Sequence, residues 1–240
     1  MHGAGTPNLG TPEGLGDLRR ERLRWARLYF VCDAFPNDAE PEPLLQAVLG
    51  GGAGMIELRD RDAPDAAIER IGATFKRLAD THSALFIVND DPYLARDLGA
   101  DGVHVGQDDI SPAEARNALG PDAIIGLSTH TREQIEAAHS QPVDYISVGP
   151  IWETPTKEGR PATGLDLISE AARIATLTWF AIGGIDTENV AEVAEAGARR
   201  IVVVRALRDA ADPYGTAAAL VGPLKAAAKA DAGAARSGDG

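Results

Sequence analysis

Eight short apolar runs, each followed by a helical pattern, recur along this chain and confine it to a few parallel-sheet architectures. They are LYFVCD from Leu28, MIELRD from Met55, ALFIVND from Ala84 and GVHVGQ from Gly102. AIIGLST from Ala123, DYISVGP from Asp144, WFAIGG from Trp179 and RIVVVRA from Arg200 follow. Runs of this length rich in Val, Ile, Phe and Tyr read as strands. Continuous hydrophobicity, rather than alternation, marks strands of a parallel sheet buried on both faces. Segments such as PEPLLQAVLGG, DAAIERIGATFKRLADTH, SPAEARNALG and TENVAEVAEAG read as the intervening helices. Gly closes several of them as a left-handed C′ residue, and Asp or Ser often precedes one as an N-cap. Eight such units close most naturally into a single (β/α)8 TIM barrel of class α/β. A doubly wound open sheet is the alternative, but it usually has fewer strands and a Gly-rich first turn, whereas the first strand here runs into CDAFP. The segment LGDLRRERLRWARL reads as a short extra N-terminal helix covering the bottom of the barrel. Residues 1–16, rich in Gly, Pro and Thr, and the tail 230–240 read as loose ends, leaving 17–229 as the barrel domain.

Charge limits the partners. Asp plus Glu number 36 against 23 Lys plus Arg, a net charge of −13. That balance argues against nucleic acid or an anionic membrane as the main partner, while leaving room for a local cationic pocket. The single cysteine, Cys32, precludes an intramolecular disulfide and speaks against a structural zinc site; it reads as a buried residue ending a strand. The N-terminus has no basic region followed by an apolar stretch, and no apolar run is long enough to span a bilayer, so a cytoplasmic protein is expected.

In either parallel architecture ligands sit beyond the C-terminal ends of the strands, so the residues closing each run carry the functional information. Asp90 follows the third strand and Asp109 the fourth. Neighbouring strands lie about 4.8 Å apart, close enough for their ends to share one cation, and carboxylates with waters and phosphates are what Mg²⁺ prefers. Asp91 and Asp108 read as solvated or capping residues. In ELRDR, residues two apart point the same way, so Glu57, Arg59 and Arg61 line one side, where Arg suits phosphate. A surface salt-bridge network with Glu57, Asp60 and Asp62 is the competing reading. Lys157 lies in a long Gly/Pro-containing loop of the kind that closes over a substrate. The AIGGI run, with Asp186 and Thr187 opening the next helix and Arg205 on the eighth strand, reads as a phosphate cradle. Ser128 closes the fifth strand and either donates to a ligand or makes an ST-turn. His104 reads as packing and His130 as structural; no Ser–His–Asp order is present. Two anion sites therefore face each other, one for a diphosphate and one for a monophosphate, as joining two phosphorylated small molecules requires.

These residues resemble the thiamine phosphate synthase family. The resemblance rests on ELRDR against a pattern near Q-L-R-x-K, then FIVNDD, DGVHVGQDD, GLSTH, DYISVGPIWETPTK, FAIGGI and GARRIVVVRAL, in the family's order from Leu28 to Leu207. It implies a Mg²⁺-dependent transferase on a TIM barrel. The enzyme would join 4-amino-5-hydroxymethyl-2-methylpyrimidine diphosphate to 4-methyl-5-(2-hydroxyethyl)thiazole phosphate, giving thiamine phosphate and pyrophosphate. By the same resemblance Asp90 and Asp109 bind Mg²⁺. Glu57, Arg59, Arg61, Asn89, Ser128 and Lys157 face the pyrimidine diphosphate, and Thr154, Pro155, Thr156, Gly184, Val204 and Arg205 the thiazole phosphate. The amino-substituted ring stabilises the cation left as pyrophosphate departs, so no protein nucleophile is needed. Three residues depart from the pattern: Glu57 stands where Gln is frequent, Arg61 for a common Lys, Arg205 for a common Ser. An ionised Glu57 only accepts hydrogen bonds, where Gln also donates; it is expected to accept from the pyrimidine amino group. A thiazole-phosphate tautomerase on the same barrel, or a non-catalytic phosphate-ligand-binding protein, are the alternatives; neither calls for the full diphosphate set. The sequence leaves the oligomeric state open, a homo-oligomer included.

Overall fold

Each of the eight apolar runs forms a strand: β1 Leu28–Cys32, β2 Met55–Leu58, β3 Leu85–Asn89, β4 Gly102–Val105, β5 Ile124–Thr129, β6 Tyr145–Val148, β7 Thr178–Ile182 and β8 Ile201–Val203. The structure, a computed structural model, describes residues 14–60, 63–153 and 162–237. Consecutive strands pair in parallel, and β8 returns to β1 through Leu28↔Ile201, Tyr29↔Val202 and Phe30↔Val203. That closure decides for the barrel and against the open sheet.

Alternation along each strand sends side chains to two apolar layers. Phe30, Ile56, Phe86, Ile125 and Ile146 point outward and pack under the helices. Tyr29, Met55, Leu85, Ile87, Ile124, Tyr145, Phe180 and Val202 fill the interior. The surrounding helices are α2 Glu42–Gly50, α3 Asp65–His82, α4 Pro92–Asp97, α5 Pro112–Leu119, α6 Arg132–Ala138, α7 Gly164–Ile174, α8 Val190–Glu195, α9 Arg205–Arg208 and α10 Pro213–Ser237, preceded by α1 Leu15–Trp25. Polar caps set several starts. Asp91 accepts from Tyr93 and Leu94 N–H, as its capping reading anticipates. Ser111 and Glu114 form a reciprocal capping box on α5. Cys32 is buried at the end of β1, and burial, then the charge of Asp33, raises its thiol pKa.

The N-terminal helix does cover the bottom of the barrel. Leu23 and Ala26 join the interior layer. Arg19 reaches Asp101 at 2.8 Å, and Arg20 reaches Asp144 at 2.8 Å. Those carboxylates, just before β4 and β6, also accept from Phe86 and Ile125 N–H, tying neighbouring strand starts together.

Helix begins where LGDLRRERLRWARL begins and, at the other end, extends further than the sequence reading. Helix α1 starts at Leu15, and Gly16 packs against Asp122 so closely that a Cβ there would sit 2.7 Å from its Oδ1. Helix α10 runs to Ser237, so residues 230–237, read as loose, are helical. The tail's alanines favour helix, and Asp231 pairs with Arg199 at 2.6 Å. Among the described residues no helix is long and apolar enough to cross a membrane.

Candidate active site

The C-terminal mouth of the barrel carries a cavity of about 360 Å³, enclosed by the ends of β5 to β8. Ser128, Gly184, Val204 and Arg205, four of the residues singled out in the sequence, line it. Ser128 does so from within β5 and is buried, so the ST-turn reading is not borne out. Ser147, its register partner on β6, lines the same floor and escaped the sequence reading. His130, read from the sequence as near the site but structural, lines the cavity while its Nδ1 lies 2.6 Å from Gly149 O.

The glycine turn after β7 has the backbone that its sequence suggests. Gly183 has φ +107° and Gly184 φ +71°, both in the region that disfavours other residues. A Cβ on Gly183 would meet Pro150 Cα at 2.6 Å, and one on Gly184 would meet Trp152 Cβ at 2.9 Å. Those neighbours are held against the turn by Ile151 N–H donating to Ile182 O at 2.9 Å and Trp152 N–H to Gly183 O at 3.3 Å. The loop leaving β6 is thereby strapped across β7.

Two sequence expectations are corrected here. Asp186 and Thr187 do not open a helix; Asp186 Oδ1 accepts from Glu188 and Asn189 N–H in a local turn, and α8 begins at Val190. An Asp that finds donors two and three residues on competes with helix initiation. Arg205 is not part of β8, which ends at Val203; it opens α9 at the cavity edge.

Asn89 ends β3 and Asp90 follows it. Asp90 N–H donates to His104 O at 2.8 Å, extending the β3–β4 ladder by one step. Its φ is +63°, an uncommon conformation for a residue with a Cβ. Strained backbone of this kind clusters at functional sites. Both residues border a second cavity of about 300 Å³ that also touches Asp60 and Asp91. Asp60 is occupied structurally, since its carboxylate accepts from Ala34 and Ala63 N–H. Asp109 is exposed in the turn after β4, with Oδ2 accepting from Gly106 N–H at 2.8 Å. Asp90 and Asp109 thus follow neighbouring, register-paired strands on one rim.

The residues read as a line of contacts on β2 diverge. Glu57 is 3% exposed and turned into the barrel, where it accepts from the Tyr29 hydroxyl. Arg59 lies just past the strand, its N–H donating to Cys32 O at 3.0 Å. Arg61, Thr154, Pro155, Thr156 and Lys157 lie outside the described residues. His104, read as packing, is buried but polar in role, with Nδ1 3.0 Å from the Tyr145 hydroxyl and Nε2 2.9 Å from Ser128 Oγ. The signal that could have found this set was polar type at inward parity inside buried strands: Glu57, His104, Ser128 and Ser147.

Among the described residues no group of three or more His, Cys, Asp or Glu is placed to hold a metal ion. A site for Mg²⁺ does not need one, because Mg²⁺ keeps several waters and takes one or two carboxylates plus substrate phosphates. Asp90 and Asp109, following β3 and β4, carry carboxylate oxygens of the donor type that Mg²⁺ takes.

The thiamine monophosphate synthase family model matches residues 28–207. The chain is 47% identical over 205 residues to a thiamine-phosphate synthase from Acidothermus cellulolyticus, covering 85% of this chain and 97% of that one. It is 46% identical to one from Mycolicibacterium vanbaalenii, covering 86% and 97%. Among solved structures it resembles thiamine phosphate pyrophosphorylase from Pyrococcus furiosus, with a TM-score of 0.77 at 28% identity, covering 87% of this chain and 98% of that one.

Proposed function

This chain belongs to the thiamine monophosphate synthase family, and we infer from that membership a transferase. It condenses 4-amino-5-hydroxymethyl-2-methylpyrimidine diphosphate with 4-methyl-5-(2-hydroxyethyl)thiazole phosphate, yielding thiamine phosphate and pyrophosphate. The observation that carries the reading is one barrel rim bearing both a glycine cradle beside Arg205 and an oxygen-only acidic pair.

The roles divide by charge. Backbone N–H groups of the Gly183–Gly184 turn and the Arg205 guanidinium receive the thiazole phosphate. Arg59, with Arg61 and Lys157, faces the diphosphate and takes up negative charge as it departs. Asn89 and Ser128 orient the pyrimidine. Asp90 and Asp109 would hold Mg²⁺, which when bound supplies positive charge against the leaving group. The attacking atom is the thiazole nitrogen itself, so the step needs no protein nucleophile. The chain's contribution is holding that nitrogen against the ring methylene at the barrel mouth. Mg²⁺ dependence and these individual roles are our proposals; the transferase activity is that of the family.

The test is pyrophosphate release with both substrates present, with and without Mg²⁺. Asp90→Ala and Asp109→Ala are each expected to lower kcat by about 100-fold or more, the loss typical of a removed transition-state charge contact. Isomerisation of a thiazole phosphate without pyrophosphate release would point to the tautomerase instead.

A further inference from the structure

The Gly183–Gly184 turn takes its place from a strap, residues 149–152, that leaves β6 and crosses β7. Ile151 and Trp152 N–H donate to Ile182 O and Gly183 O. A Cβ on Gly149 would overlap Ile182 O, and one on Gly183 would meet Pro150 Cα at 2.6 Å. Strap and turn are thus packed backbone on backbone, so a shift in one displaces the other. The far side of the strap is tied to the start of α7. Pro150 O accepts from the Thr163 N–H at 2.8 Å and from its hydroxyl at 2.9 Å, and Ile151 O accepts from Gly164 N–H at 3.0 Å. The near side is tied to the end of β5. Gly149 N–H donates to Thr129 O at 3.1 Å, and Gly149 O lies 2.6 Å from His130 Nδ1.

The direction of that last bond is fixed by its acceptor. A carbonyl oxygen only accepts, so Nδ1 carries a proton whether the ring is neutral or charged. The His130 N–H in turn donates to Gln134 Oε1 at 2.7 Å, which anchors the residue beside the start of α6. Pro150 has no N–H to offer, so the near side of the strap is gripped through the Gly149 peptide groups. The His130 ring also lines the cavity, together with Ser128, Gly184 and Arg205. One side chain therefore touches both the strap and the space the strap encloses.

Resting on the transferase reading above, we propose that His130 is a positioning residue for the thiazole phosphate, acting through Gly149 to hold the strap that shapes the glycine cradle. It ties the strand that carries Ser128 to the strap beside Gly184, and so helps to keep the two substrate subsites at one spacing. That spacing matters because the reacting nitrogen and carbon must be held close and aligned. Two substitutions separate the donor from the rest of the ring. His130→Asn keeps an N–H donor the same number of bonds from Cα as Nδ1, whereas His130→Leu removes it.

The experiment is isothermal titration with the thiazole phosphate alone, beside steady-state kinetics with both substrates. The Leu variant is expected to bind thiazole phosphate at least about tenfold more weakly than the parent, and the Asn variant no more than about threefold, since a lost hydrogen bond is worth about a factor of ten. The KM for the pyrimidine diphosphate is expected to hold within about threefold in both, because Arg59 and Asn89 hang from β2 and β3. Equal weakening toward both substrates overturns the proposal, as does a Leu variant that binds thiazole phosphate like the parent. An Asn variant as impaired as Leu also overturns it, by placing the role at Nε2 in direct contact with substrate. Should the Leu variant fail to fold, ¹⁵N-histidine NMR of the parent decides: Nδ1 of His130 is expected to be protonated across neutral pH, and an unprotonated Nδ1 overturns the proposal. A parent that binds thiazole phosphate without releasing pyrophosphate faults the transferase activity alone, and the contrast between Asn and Leu still decides the role of His130. A parent that does not bind thiazole phosphate overturns both.

Discussion

At the scale of single residues, Asp90 shows stability and function pulling apart. Its φ of +63° costs a residue with a Cβ roughly 1 kcal/mol or more relative to Gly. We expect Asp90→Gly to hold or raise Tm while abolishing most turnover, and Asp90→Val to lower stability by about 2 kcal/mol, because a β-branched residue is least tolerant of this conformation. Thermal melts beside pyrophosphate-release assays separate the two; a Gly variant that melts well below the parent contradicts the strain argument. The sequence placed Asp90 on the rim because it directly follows an apolar run. It gave no sign of the backbone conformation, which depends on Asp90 N–H reaching His104 O on the next strand. His104 was misread for a related reason. Its partners Ser128 and Tyr145 lie 24 and 41 residues further along the chain, and only barrel register brings them to one level.

Among the elements, the strands were legible and several helix boundaries were not. Parallel strands buried on both faces leave an unbroken apolar signature that local reading detects. The start of α8 was misplaced because Asp186 satisfies Glu188 and Asn189 N–H in a turn instead of capping a helix. Helix α1 was anticipated from LGDLRRERLRWARL, but its energetic role resides in partners distant in sequence. Asp101, nearly buried, accepts from Arg19 and from Phe86 N–H. Asp101→Ala removes the shared acceptor and leaves a cation and an amide unpaired, so it should cost about 3 kcal/mol and lower Tm by roughly 6–12 °C, with kinetic constants per folded molecule unchanged. Denaturant titration with an activity assay checks both parts. A loss below about 1 kcal/mol would mean that α1 docks through Leu23 and Ala26 alone.

For the molecule as a whole, the working rim and the N-terminal face have separate tasks. Asp90 and Asp109 follow strand ends outside the two apolar layers, whereas Arg19, Arg20, Asp101 and Asp144 pin the opposite face. Removal of divalent cations with EDTA should therefore stop pyrophosphate release yet shift Tm by no more than about 2 °C, since a ligand bound weakly to the folded state adds little stability. Calorimetry with and without chelator tests this; a collapse of Tm would make the metal part of the scaffold. The barrel itself is closed by the three residue pairs that join β1 to β8. Until residues 201–203 have left the ribosome, β1 has only one neighbour and presents a bare row of amides and carbonyls to any passing strand. A nascent chain of this protein carries that exposed edge through nearly all of its synthesis, and a stop codon ahead of β8 would make the exposure permanent.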